Sequence, residues 1–482
     1  MRYRIVLVLV GLLMYGQRVG IGTSTPENRA RLHVEDTERG IIIPRLTTAQ
    51  RDAIPPADLT VGVIIYNRDC HRLEWWDGSK WVWVLTNTSG ASTPNPPTAQ
   101  PATGVTATGF TANWTAVSGA SSYQLAVSRD ENFSTLLPGY PVTTSGTSYV
   151  VSGLSCGVYY YRVRAQGQGC DGGLSGWSNV QTVLVANLPA CTPNSWVQLP
   201  NPPATIPLRN NHVAAAVGTK IYMGFGNRGI LCLNDWWEWD VCTGQWTQRA
   251  SPPAMVGGLP FCFVIDGKVY VGGGRHPCGP LTDAVYRYDP STNTWTPVAS
   301  LPQALHGGAG ASDGRYGYVL GGRTAAGSYL NTLYRYDPVS NSWTTLASYP
   351  LNVWSPALAY LNGSLYASQG ANNSGYTPAS YRYDIASNSW TAIANAPVVG
   401  YEGCGVSMNG MFYNFGFHTP GNACTNQFYL YNPASNSWSA IATFSGGQRN
   451  NLVGAVIGGR FFGGFGHDCA STYPRDWWMY CP

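Results

Sequence analysis

Six tryptophans, Trp196, Trp246, Trp295, Trp343, Trp390 and Trp438, recur at intervals of 47 to 50 residues. A period of that length implies copies of one supersecondary unit, which must pack against its neighbours because no copy can bury both faces alone. The surroundings repeat too. Tyr286-Arg287-Tyr288-Asp289-Pro290 precedes Asn293 and Trp295, and Tyr334-Arg335-Tyr336-Asp337-Pro338 precedes Asn341 and Trp343. Tyr381-Arg382-Tyr383-Asp384 precedes Asn388 and Trp390, and Tyr429-Leu430-Tyr431-Asn432-Pro433 precedes Asn436 and Trp438. Glycine doublets follow short apolar strands at Gly272-Gly273, Gly321-Gly322 and Gly463-Gly464, with looser versions at Gly224-Phe225-Gly226 and Asn414-Phe415-Gly416. Each unit reads as four strands, exemplified by a (Phe261–Ile265), b (Lys268–Gly272), c (Val285–Asp289) and d (Thr294–Pro297). Glycine lets strand b approach other backbone closely, and the Asp and Asn side chains suit the c–d turn.

Sets of a, b and c strands start near residues 212, 261, 307, 356, 404 and 452. No d strand follows Asp476–Cys481, and Trp196 lies on a d strand without a preceding c strand. The N-terminal segment of the region is therefore expected to complete the last unit. Cys191 and Cys481 both fall at the missing c–d turn, which predicts a disulfide between them.

Period, doublet, Tyr and Trp together resemble the kelch repeat throughout residues 191–482. The resemblance implies a six-bladed β-propeller, and the fold class is all-β.

Upstream, residues 102–187 alternate in period two with turns every 8 to 12 residues, the pattern of a small sandwich. Trp114, the Leu154-to-Tyr160 spacing and Ser175-Gly176-Trp177-Ser178 resemble a fibronectin type III domain. Residues 86–101, almost without apolar content, read as a linker. Before them, Val19–Pro26, Gly40–Ile54, Gly62–Asn67 and Leu73–Trp81 resemble the head segment of bacterial surface and tail-fibre-like proteins. That resemblance implies a homotrimer or fibre contact. Asp77-Gly78 predicts a hairpin. Residues 1–17 read as a signal peptide: Arg2 and Arg4 precede a short apolar run, Ile5 to Met14, too short to span a bilayer. The expected organisation is thus 1–17 signal, 18–85 head, 86–101 linker, 102–187 sandwich and 188–482 propeller, with a secreted or cell-surface location.

Composition excludes several functions. Only 11% of residues are charged, the net charge is +4, and there is no Lys/Arg run of the kind a nucleic-acid groove needs. No transmembrane segment is expected. The 12 cysteines form no C-x-x-C pair and no Cys/His group at zinc spacing, so disulfides are expected and metal and cofactor are not. Besides Cys191–Cys481, the expected pairs are Cys156–Cys170, Cys262–Cys278 and Cys404–Cys424, with Cys232–Cys242 weaker. Cys70 and Cys469 are left without a partner.

In a propeller, function belongs to loops at one mouth of the channel. The d–a loops supply Arg209, Asn210, Asn211, His306, Trp354, Tyr401, Glu402, Arg449 and Asn450; the b–c loops supply Arg275, Arg323, His418 and His467. Amides and Arg bind hydroxyls and carboxylates, and aromatic faces stack on sugar rings. The leading expectation is a non-catalytic binding or adhesion protein whose mouth takes a glycan or protein ligand. The chain is also similar to exported sialic acid mutarotases of the kelch class. That likeness implies a sugar-acid mutarotase or epimerase, with Glu402 as acid/base and Arg449 or Arg209 for the substrate carboxylate. A third reading is a structural subunit of a surface fibre. No Ser/His/Asp arrangement, carboxylate pair or phosphate loop is present at a spacing that supports catalysis.

Overall fold

The computed structural model describes residues 19–21, 32–34, 42–83, 93–167, 173–254, 257–274, 280–470 and 472–482. The signal-peptide segment, Arg275, Cys170 and Cys278 lie outside them. The chain divides into two compact units, one formed by residues 1–93 with 167–173, the other by 94–166 with 174–482.

In the first unit Val19–Ile21 pairs in parallel with Leu32–Val34. A four-stranded sheet follows in chain order: Arg45–Leu46, Ile64–Asn67, Arg72–Trp76 and Trp81–Trp83. A short helix, Thr48–Asp52, opens on a capping box in which Thr47 and Gln50 satisfy each other's backbone N–H. The Asp77-Gly78 hairpin forms, with Gly78 at φ 104° and Asp77 Oδ1 accepting from the Ser79 and Lys80 N–H groups. Glu74 is buried against Arg51 and Arg72, whose hydrogen bonds outweigh its desolvation and hold its carboxyl below the usual range.

The second unit begins with two facing antiparallel sheets. One holds Val142–Thr144, Ala120–Ser128, Gly157–Gly167 and Gln181–Val185; the other holds Ser148–Val151, Phe110–Trp114 and Ala99–Thr103. Trp114, Leu125, Tyr161 and Val163 fill the space between. The Leu154-to-Tyr160 spacing is that of a tyrosine corner, in which a Tyr hydroxyl bonds back to upstream backbone, but here Tyr159 rather than Tyr160 makes that bond, its hydroxyl donating to Ser155 O at 2.8 Å. The buried residues of this strand run Tyr159, Tyr161, Val163, so Tyr160 belongs to the outer face by parity.

Six four-stranded antiparallel sheets follow. Their innermost strands are Val213–Val217, Phe261–Ile265, Ala309–Ser312, Ala357–Leu361, Cys404–Met408 and Val453–Ile457, and we number the sheets 1 to 6 in that order. Neighbouring inner strands touch all the way round, sheet 6 against sheet 1 included, so the ring is closed. The approach is tight: a Cβ on Gly310 would lie 2.2 Å from Cys262 O. Sheet 6 takes its outer strand from the opposite end of the region. Ser195–Leu199 pairs with Trp477–Cys481, and a Cys191–Cys481 disulfide spans 290 residues beside that pairing.

The repeated Asn and Trp form a latch between sheets. In the c–d turn of sheet 2, Asn293 adopts φ 55°, a left-handed conformation that Asn tolerates. Its Oδ1 accepts the Ala250 N–H of sheet 1 and the Tyr288 hydroxyl, both at 2.9 Å. Trp295 Nε1 donates to Ala250 O at 2.7 Å. The same set recurs as Asn341, Trp343 and Ala299; Asn388, Trp390 and Ala347; Asn436, Trp438 and Ala394; and Asn194, Trp196 and Ala442. Between sheets 6 and 1 the equivalent positions are Pro200, which has no N–H, and Gly244, which has no side chain. Here the sandwich intervenes. Leu184 and Ala186 join the core of this junction with Ile221, Ile457 and Trp477, and Cys156 is bonded to Cys242 in the sheet 1 c–d turn.

That bond corrects two expected pairings, since Cys156 is not available to Cys170 nor Cys242 to Cys232. Cys424 pairs with Cys469, not with Cys404. Cys404 and Cys262 are free thiols, so the Cys262–Cys278 pair does not form either. Cys70 is disulfide-bonded, to a partner outside the described residues. Cys191–Cys481 forms as expected; the other expected pairs joined cysteines near in sequence, whereas the ring and the sandwich bring distant ones together.

Candidate functional site

In five of the sheets, among the described residues, the d–a loop meets the b–c loop of its own sheet. Asn210 bridges to Asn227, His306 to Arg323, Trp354 to Ala371, Tyr401 to His418 and Asn450 to His467. Both loop sets therefore open on one mouth. Just inside lies a second ring, one residue per sheet, each in the left-handed region: Asn211, Leu259, Gly307, Ser355, Glu402 and Asn451, with φ between 47° and 62°. Backbone hydrogen bonds of 2.7 to 2.9 Å run Leu259 to Asn211, Gly307 to Leu259, Ser355 to Gly307 and Glu402 to Ser355. These bonds link five of the six backbones around the opening of a channel of about 340 Å³, and Asn451 is joined to the fifth through its side chain.

Glu402 is the ionisable member of the inner ring. Its Oε2 accepts from Asn451 Nδ2 at 2.8 Å and lies 3.4 Å from His418 Nε2. Burial raises its pKa to about 7, against the opposing effect of the Asn451 hydrogen bond. Burial lowers that of His418 to about 4. Both shifts favour neutral forms, so between those values the contact is one between neutral groups rather than an ion pair. His212 lines the channel fully buried and neutral, held so by desolvation and by Arg209. Neither of its ring nitrogens has a partner among the described residues. Trp354 Nε1, Ser355 Oγ, Asn211 Oδ1 and Asn450 Oδ1 are likewise buried without one.

Aromatic rings crowd one side of the mouth. Tyr401 lies parallel to Tyr376 at 5.0 Å and to His418 at 4.9 Å, and stacks with Trp354 at 5.4 Å. His306 meets Trp354 edge-on. Arg323 sits over Tyr329, its Nε committed to Gly327 O.

The structure thus brings together His306, Arg323, Trp354, Tyr401, Glu402, His418, Asn450 and His467, with Asn210 and Asn211 on sheet 1, next to sheet 6. It removes Arg209 and Arg449. Arg209 is fully buried in a two-point ion pair with Asp235, and Arg449 makes the same pair with Asp476 at 2.9 Å. Each also donates to a carbonyl, of Phe225 and Phe465 respectively. They fasten the mouth loops of sheets 1 and 6 and do not face a ligand. A signal existed: Arg-Asn-Asn at 209–211 and 449–451 is followed in both cases by Asp-Trp-Trp, at 235–237 and 476–478. Sequence reasoning also missed Tyr376 as a mouth aromatic and the free thiols in the channel wall. Burial raises the pKa of Cys262 to about 12 and of Cys404 to about 11, leaving both unreactive thiols at neutral pH.

Comparison with known proteins bears on the repeat directly. Residues 262–466 match the family model of the KLHDC2/KLHL20/DRC7 Kelch-repeats domain. Over residues 262–466 the repeats match kelch repeats. Residues 20–100 match the model of a phage tail like trimerisation region. Among curated relatives, N-acetylneuraminate epimerase of Haemophilus influenzae (strain PittEE) is 35% identical over 109 residues, 21% of this chain and 28% of that one. Kelch-like protein terF of Aspergillus terreus is 30% identical over 135 residues, 25% of this chain and 28% of the relative. Human Kelch-like protein 33 is 34% identical over 111 residues, 22% and 20% of the two chains. The chain spans between a fifth and little more than a quarter of the length of these relatives. The solved structure of YjhT shares the fold at TM-score 0.50 and 17% identity, covering 58% of this chain and 95% of that one.

Proposed function

We propose that this is an exported, surface-displayed carbohydrate-binding protein. In this reading a six-bladed kelch propeller carries the binding mouth, a fibronectin type III sandwich braces it, and the N-terminal head assembles it into a trimer. One observation carries the binding role: the aromatic arc of Trp354, Tyr376 and Tyr401 stands beside buried polar atoms of Trp354, Ser355 and Asn450 that no described protein group satisfies. Flat faces next to unspent donors and acceptors suit a ring bearing hydroxyls, because buried polar groups are seldom left unpaired without a purpose. The trimerisation-region match supports the head's role, and multivalent display would strengthen weak single-site binding. A glycan array probed with the full chain tests the reading. Binding that falls at least tenfold in Trp354→Ala and Tyr401→Ala is expected; no glycan bound above background would reject it.

A second reading is favoured by Glu402 and by the epimerase relatives. A carboxyl with a pKa of about 7 suits an acid/base group at neutral pH, which sugar-acid epimerisation requires. With Arg449 committed to Asp476, Arg323 is the mouth cation that this reading assigns to a substrate carboxylate. Wild-type acceleration of N-acetylneuraminate mutarotation, abolished in Glu402→Gln, would select this reading, and no acceleration would end it. Either way the mouth should change with pH near 7. Glu402 is more protonated in the folded than in the unfolded protein, so its contribution to stability is full below the ordinary carboxyl range and disappears as pH rises through about 7. Glu402→Gln should flatten that step in both stability and ligand binding.

A further inference from the structure

The Cys424–Cys469 disulfide lies against the mouth histidine. His418 Nδ1 is 3.8 Å from Cys469 Sγ, and the two sulfurs and the imidazole all fall within 4.8 Å of one another. The other ring nitrogen, Nε2, faces Asn450 and, at 3.4 Å, the Glu402 carboxyl. We propose that this cluster is a redox-gated metal site, closed as a disulfide and open, once reduced, to a thiophilic divalent cation such as Zn²⁺.

Three arguments support it. Two thiolates and an imidazole are a donor set that zinc prefers, at a ligand number that leaves a fourth position for water or substrate. Metal-binding histidines commonly direct their second nitrogen to a carboxylate, which fixes the ring and raises its basicity, and Glu402 occupies that place. Finally, three elements hold the cluster. His418 belongs to the short strand His418–Thr419, which pairs with Ala423–Cys424, and Cys469 N–H donates to His467 Nδ1 at 3.1 Å. Opening the S–S bond therefore leaves all three ligands anchored by other contacts.

The chemistry balances. A small dithiol transfers two electrons and two protons to the Cys424–Cys469 bond, giving two thiols and its own cyclic disulfide. Zn²⁺ then displaces the two thiol protons and accepts the His418 lone pair. The cation would sit at the mouth, next to Glu402, so metal loading would alter the proposed binding site.

The test is zinc titration of the full chain against a chromogenic chelator, oxidised and after dithiol treatment. The reduced protein should gain one zinc that the oxidised protein lacks, and His418→Gln, which keeps every thiol, should weaken it at least tenfold. Reduction opens other disulfides too, so Cys424→Asp supplies a version needing no reductant. It should bind one zinc unreduced, and lose it when combined with His418→Gln. If the reduced wild type gains no zinc, or if His418→Gln leaves binding unchanged in both backgrounds, the proposal is wrong.

Discussion

Five junctions between the kelch sheets are closed by the Asn–Ala–Trp latch, and the sixth is closed by another part of the chain. The contrast shows what the latch does. At the five, an Asn carbonyl oxygen and a Trp N–H clasp the N–H and C=O of one Ala in the neighbouring sheet, as in Asn341, Trp343 and Ala299. At the sixth, Pro200 offers no donor and Gly244 no acceptor, so both halves are lost together and no backbone N–H is orphaned there. Trp246 keeps its place but its Nε1 has no protein partner, and its ring packs edge-on against Trp477 at 5.0 Å. What remains is apolar, and the sandwich fills it with Leu184 and Ala186 and ties it with Cys156–Cys242. Polar clasps suffice where two sheets meet side by side. Where the ring meets another domain, packing and a covalent bond take over.

The comparison predicts a ranking. The largest loss should come from opening the ring itself. Cys481→Ala removes a crosslink spanning 290 residues, worth roughly 5–6 kcal/mol in the chain-entropy model. Urea unfolding should show a midpoint shift large enough to threaten folding, since domains are typically stable by about 5–15 kcal/mol. A shift worth under about 1 kcal/mol would mean that strand pairing alone closes sheet 6. Next is Cys242→Ser. It releases an 86-residue crosslink, roughly 4–5 kcal/mol in the same model, and should also raise hydrogen exchange in Trp236–Asp240 and Gln245–Arg249 ahead of the other sheets. Uniform exchange round the ring would contradict a special role for the sandwich at this junction.

A smaller loss is expected from breaking one latch. Asn341→Ala leaves the Ala299 N–H and the Tyr336 hydroxyl without their shared acceptor and puts Ala at φ 47°. The cost should be about 2–3 kcal/mol, the sum of lost hydrogen bonds and left-handed strain. Asn341→Gly, which removes the strain and keeps the loss of acceptor, should recover about 1 kcal/mol of it. Thermal unfolding of the two variants separates these contributions.

How much of this the chain disclosed in advance follows the range of each interaction. The latch residues and the inner strands were legible because they repeat: strands expected near 261, 404 and 452 begin at Phe261, Cys404 and Val453. Cys191 and Cys481 could be placed together because a missing strand defines what must be adjacent. Cys156 and Cys242 could not, since nothing local in either segment encodes the docking of a sandwich on one particular junction. The mouth was legible in part. Loop position identified Trp354, Tyr401, Glu402 and His418, but Arg209 and Arg449 look the same in sequence whether they meet a ligand or a buried Asp. Only their partners Asp235 and Asp476, 26 and 27 residues on, distinguish the two cases.

The smallest effect is also the sharpest test, because it adds an interaction instead of removing one. Pro200→Ala restores an N–H, and Gly244→Asn restores an acceptor at a residue already at φ 69°, close to the 47° to 55° of the Asn latches. Neither change alone makes a hydrogen bond with both partners, so each alone should be near neutral. Together they should stabilise by about 1 kcal/mol, the net value of one such bond, provided the sheet 6 strand can sit as close to the sheet 1 turn as its counterparts do. The double variant should then soften Cys242→Ser, because the junction no longer depends on the sandwich alone. If the pair is additive and Cys242→Ser costs the same in both backgrounds, the sixth junction is not a latch that has been replaced but a different joint, and the sandwich closes it for reasons of its own geometry.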